Sequence, residues 1–147
     1  MENPISASQV TGSKKKEKFA WENLTTNEKV VFLGAIGMFL SYFLPWFSTP
    51  MGYSVGAGRS GIVMPLAAAI FSCYKLYRSK GATIAKRIRA AKWQIGIGIW
   101  GAATSFLGLF LVINNSELTP AIGAYLCTAG TTAVLIGGLK LKKELQQ

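Results

Sequence analysis

Charged side chains are absent from long stretches of this chain. Residues 30–58 contain no Asp, Glu, Lys or Arg, and neither do residues 93–116 or 118–139. A shorter uncharged stretch, 60–74, follows Arg59. A helix needs about 20 mostly apolar residues to cross the hydrocarbon layer of a bilayer, so three stretches qualify as they stand. The fourth lies between Arg59 and Lys75, whose long stems can snorkel to the surface and extend it. A soluble fold of 147 residues cannot bury four such runs on every side. The pattern predicts an all-α membrane protein with four transmembrane helices in two antiparallel hairpins, over 30–46, 61–77, 93–113 and 120–139. A basic tail, 1–24, is expected to be disordered, and 25–147 to form one transmembrane domain.

Local signals refine these boundaries. Thr25-x-x-Glu28 has the form of a capping box just before the first apolar run. Pro45 is expected to end that helix or kink its last turn. Thr119 followed by Pro120 reads as an N-cap with proline at the first helical position, opening the fourth helix after a tight hairpin. Asn114-x-Ser116 has the glycosylation spacing, but so cramped a turn at the membrane surface argues against its use. Trp21, Trp46, Phe47, Tyr53, Tyr74, Tyr77 and Trp93 fall near the expected interfaces, where amphipathic rings are favoured. Trp100 falls inside the third span and is expected to face lipid or a neighbouring helix.

The net charge of +10 gains meaning from its distribution. Fifteen of the sixteen basic residues fall before the first span, between the second and third, or after the fourth. Arg59 alone falls on the other side, with Glu117. This is the positive-inside asymmetry, and it places both termini and the middle loop in the cytoplasm of a multi-pass protein of a bacterial inner or plasma membrane. The middle loop is rich in Lys and Arg, and Ile84, Ile88 and Ala91 recur in it at helical steps. Lys86, Arg87 and Arg89 are therefore candidate contacts for anionic lipid or a protein partner; the alternative is that they only fix topology. No aromatic-interleaved groove or helix-turn-helix pattern accompanies the charge, so nucleic acid is not an expected partner. Arg59, set among glycines, is either an interfacial anchor or a contact for a carboxylate or phosphate.

Small residues form stripes at helical spacing: Gly98, Gly101, Ser105 and Gly108 in the third span, and Gly123, Cys127, Gly130 and Gly137 in the fourth. Gly34, Gly37 and Ser41 add a shorter one in the first. In lipid, helices associate by close backbone approach at such residues, so the third and fourth helices are expected to pack face to face. Tyr125, Thr128 and Thr132 form a mildly polar stripe whose hydroxyls can bond the preceding turn. Met38 and Met64 are expected to fill packing gaps.

Reactive chemistry is sparse. The chain has no histidine and two cysteines, Cys73 and Cys127, placed too differently in their spans to suggest a disulfide. No acid falls inside a predicted span, whereas proton-coupled transporters use intramembrane acids as relays. No metal, cofactor or catalytic residue is predicted, and the chain is not expected to be an enzyme by itself. The string 56–61, Gly56-x-Gly58-x-x-Gly61, spells the dinucleotide fingerprint. That fingerprint needs a strand before it, a soluble helix after it and an acid about 20 residues on, where this chain is basic.

Phe43–Trp46, FLPW, at the end of a first helix and before a glycine-bearing outer loop, resembles a recurring feature of small bacterial four-span proteins. The resemblance carries no functional residues across. The expected role is non-catalytic: an accessory, assembly or interaction subunit of a larger membrane complex, in contact with other membrane proteins and able to form homo-oligomers. The alternative is a small oligomeric transporter or channel not coupled to protons.

Overall fold

The computed structural model describes residues 21–56, 63–114 and 117–147. They form four α-helices, α1 (Thr26–Ser41), α2 (Met64–Ser79), α3 (Ile84–Ile113) and α4 (Ile122–Glu144), with three short strands at one end. The chain is mostly helical, and α3 and α4 are each long and apolar enough to cross a membrane. The helices run up and down, so the start of α1, the end of α2, the start of α3 and the end of α4 gather at one end. The expected tail, 1–20, and Arg59 lie outside the described residues.

The start of α1 follows its local code. Thr25 accepts from the Glu28 backbone N–H at 3.3 Å, and the Glu28 carboxylate accepts from the Thr25 N–H at 2.9 Å, completing the capping box. Residues 21–24, assigned to the tail from sequence, are instead folded. Trp21–Asn23 make a 3-10 turn, Leu24 is buried, and Trp21 stands edge-on to Phe32.

Expected to run to residue 46, α1 stops at Ser41. Pro45 has no N–H to offer the Ser41 carbonyl four residues back, and it disfavours helical backbone at Leu44. The N–H groups of Tyr42, Phe43 and Leu44 tighten into three-residue bonds, the last of them to the Ser41 carbonyl at 3.3 Å, and that carbonyl also accepts from the Trp46 indole at 2.7 Å. The chain then extends as β1 (Pro45–Ser48), which turns back through Gly52 (φ 80°) into β2 (Ser54–Gly56). A left-handed φ of this kind is open to glycine at little cost.

The fourth helix also begins differently. Thr119–Pro120 do not open it but form β3, antiparallel to β1, giving the sheet order β2-β1-β3. The Ala121 N–H adds a bond to the Trp46 carbonyl at 2.9 Å, and α4 starts one residue later. An open strand edge has taken up a segment whose local cues favour a helix start. The all-α expectation is corrected to a helical bundle closed at one end by a small sheet. Gly56, expected in an outer loop, therefore ends a strand. That strand sits in an antiparallel sheet rather than a βαβ unit, which still leaves the glycine string without the context nucleotide binding requires.

At the opposite end, α2 runs to Ser79 and is terminated by Gly81 in the left-handed region (φ 67°). The expected basic loop is mostly helix: α3 begins at Ile84, nine residues before the predicted span. Its basic turns continue the bundle axis rather than lying flat on a surface.

Packing is close between α1 and α4. A methyl group placed on Gly130 would fall 2.7 Å from the Gly34 carbonyl oxygen, and one on Gly34 would fall 2.7 Å from that of Gly130. Gly137 meets Val31 and Asn27 of α1 in the same way, and Gly123 meets Trp46 and Pro45. α3 and α4 do pack face to face, but of the α4 stripe Cys127 faces α3, while Gly123, Gly130 and Gly137 face α1 and β1. Against α3, α4 presents Thr131, Leu135 and Cys127, which receive Gly101, Gly98 and Ser105; the Ser105 Oγ and Cys127 Sγ are 3.6 Å apart. Gly108 has no neighbour there. Met38 fills the core with Ala35, Ala69 and Val134, but Met64 is exposed. Thr128 and Thr132 bond carbonyls of the preceding turn, at Ala124 and Thr128, as their stripe suggested.

Candidate binding groove

Two clusters remain once the seams are accounted for. The first is an ion-pair knot at the basic end. Glu28 is 1% exposed, and its carboxylate takes Lys80 at 2.7 Å and Arg87 at 3.3 Å. The Lys80 ammonium also donates to the Asn23 carbonyl at 2.7 Å. One carboxylate thus joins the start of α1 to the end of α2 and the start of α3. Sequence reading treated Glu28 as a cap and Arg87 as a surface contact. Arg87 is instead half-committed to the fold, whereas Lys86 and Arg89 are exposed.

The second is a groove of about 690 Å³ between α2 and α3. Its back is formed by Met38 of α1 and by Ala124, Cys127 and Thr131 of α4, and Trp46 and Phe47 of β1 close one end. Phe71 and Ala68 of α2 face Trp93, Ile97 and Trp100 of α3 across it. The rim is open: Met64, Trp93 and Trp100 are more than half exposed or nearly so. The lining is almost wholly apolar, and its size falls within the roughly 300–1,000 Å³ of small-molecule sites. Gly101, Ser105 and Gly108 line it, so the third-helix stripe is divided between the α4 seam and this opening.

A smaller basic pocket of about 320 Å³ adjoins the groove, lined by Tyr74, Lys75, Arg78, Lys86 and Arg89 and sharing Trp93 with it. Here the aromatic and cationic side chains are ordered together. The Lys75 Nζ lies 4.8 Å from the Phe71 ring centre and 5.2 Å from that of Trp93, and the two rings meet edge-on at 5.7 Å. Arg78 donates to the Tyr74 hydroxyl at 2.8 Å. Lys75, Arg78, Lys86 and Arg89 have no acidic partner among the described residues. Chemically, the pair of cavities can hold something apolar along its length and anionic at one end.

Elsewhere, the buried Gln94 amide donates to the Ser72 carbonyl at 2.9 Å, while its own oxygen and the Ser72 hydroxyl have no partner. Among the described residues no group of three His, Cys, Asp or Glu converges as a metal site. The fold and site define a helical bundle with a lateral apolar groove. No family model, curated protein or solved structure matches the chain.

Proposed function

We propose that this chain is a four-span membrane protein, with both ends cytoplasmic, that works by binding rather than catalysis. Its role is that of an accessory, assembly or interaction subunit of a larger membrane complex. The observation that supports this most directly is the outer face of α3. Only 11% of its apolar window is buried, and Trp100, Phe106, Leu107, Phe110 and Leu111 all stand outward. So large a contiguous apolar face belongs against lipid or another membrane protein. The 16 residues of α1 reach about 24 Å at the helical rise. The three-residue turn after it adds about 6 Å, which together approach the thickness of the hydrocarbon layer. For the transporter alternative, a groove with apolar walls that opens sideways gives a water-soluble solute no path.

The test is purification of the full chain from its native membrane in mild detergent, followed by mass spectrometry. Stoichiometric co-purification with other membrane proteins is expected. Recovery as a homo-oligomer alone, or solute flux from the purified chain in proteoliposomes, overturns the accessory role.

A further inference from the structure

We propose that the α2–α3 groove holds one anionic phospholipid. Its phosphate sits in the basic pocket of Lys75, Arg78, Lys86 and Arg89, and its acyl chains lie along the apolar groove beyond Trp93. This rests on the membrane location inferred above and adds the occupant of the gap between α2 and α3.

Three observations select this occupant. The groove follows α3 from Trp93 to Val112, about 28 Å of helix, so its shape is long and suits chains rather than a compact ligand. Its polarity is one-sided: apolar throughout, then four cations at one end with no acid among the described residues to neutralise them. Guanidinium and ammonium groups between membrane helices are suited to lipid phosphate, which accepts several charge-assisted bonds. Third, Lys75 is stacked on Phe71 and Trp93, two rings that line the groove. The cation is thereby held where headgroup and chain would meet, the level at which aromatic rings settle in a bilayer. A cationic protein segment is disfavoured by charge, and residues 1–20, with Lys14, Lys15, Lys16 and Lys18, are such a segment.

The experiment is native mass spectrometry of the full chain released from bilayers containing equal amounts of phosphatidylglycerol and phosphatidylcholine. One retained phosphatidylglycerol is expected, favoured about tenfold. Arg78→Gln with Arg89→Gln should bring the preference close to parity, while Lys140→Gln, Lys142→Gln and Lys143→Gln together, at the same end of the bundle, should leave it intact. Thr104→Phe with Gly108→Leu fills the groove from exposed or open positions, and should abolish retention of both lipids; inorganic phosphate in excess should not displace the lipid. Equal retention of the two lipids by the unmodified chain overturns the proposal, as does equal loss in the triple-lysine variant, displacement by phosphate, or a protein subunit found in the groove instead. Failure to fractionate with membranes overturns the location itself, so the two failures are distinguishable.

Discussion

The α1–α4 seam and the α2–α3 gap are built from opposite kinds of residue, and the difference explains why one is closed and the other open. Along the seam, Gly34 and Gly130 bring backbone against backbone, each standing where the other's side chain would be. Between α2 and α3, Phe71, Trp93 and Trp100 occupy the facing positions. In the bilayer location proposed above no hydrophobic force draws helices together, so contact depends on how near the backbones can come. Glycine permits that approach and indole forbids it. The bundle thus encloses a firm half, α1 with α4 and the inner side of α3, and a half held apart by its own rings.

The largest effect should come from breaking the firm half. Gly130→Val places its side chain within 2.7 Å of the Gly34 carbonyl and 3.0 Å of the Met38 nitrogen, both backbone atoms that cannot swing aside. Overpacking of this kind costs about 3 kcal/mol, at the upper end because the neighbour is backbone. Thermal unfolding in detergent should show a sharply lowered midpoint, or no folded protein. A midpoint unchanged from the parent would mean that α1 and α4 do not meet through this glycine.

Somewhat smaller is the effect expected at the ion-pair knot, which ties the two halves together at the basic end. Glu28→Gln keeps the shape and a capping acceptor but leaves Lys80 and Arg87 facing a neutral group. Loss of one partner of a buried pair costs about 3 kcal/mol when both charges are sealed, and the partial exposure of Lys80 and Arg87, 13% and 29%, should reduce this to about 2 kcal/mol. Double-mutant cycles should give Glu28 a stronger coupling to Lys80, at 2.7 Å, than to Arg87, at 3.3 Å. The reverse order would place the anchor on α3 rather than at the end of α2.

Glu28 also marks where sequence ceased to be informative. Its capping role was legible because Thr25 lies three residues away; its partners lie 52 and 59 residues along the chain, and nothing local distinguishes Lys80 or Arg87 from the other basic residues. The stop at Pro45 was legible in kind but not in position, since β1 formed only through pairing with β2 and β3. Thr119 and Pro120 carried a sound local helix signal that strand pairing overrode. Stripes of small residues could be read from spacing, yet spacing within one helix does not say which helix it meets, and the α4 stripe split, its glycines turning to α1 and β1 and Cys127 to α3. The groove was invisible for the same reason: Phe71 and Trp93 become neighbours only when α2 and α3 are laid side by side.

The smallest effect on stability, and the sharpest test of the contrast, is the substitution of glycine on the open side. Gly108 belongs to the same sequence stripe as Gly98 and Gly101, but a side chain there meets nothing within 4 Å, whereas at Gly98 it would meet the Leu135 backbone at 2.6 Å. Glycine inside a helix costs about 1 kcal/mol relative to alanine, so Gly108→Leu should leave the unfolding midpoint unchanged or raise it slightly, while Gly98→Leu should lower it substantially. Measured side by side in one detergent, the two variants share chemistry, helix and propensity gain, and differ only in what stands opposite. Equal destabilisation would mean that α2 closes on α3 and that no groove exists; unequal effects in the expected order would separate the stripe into a residue that seals a seam and one that keeps a cavity clear.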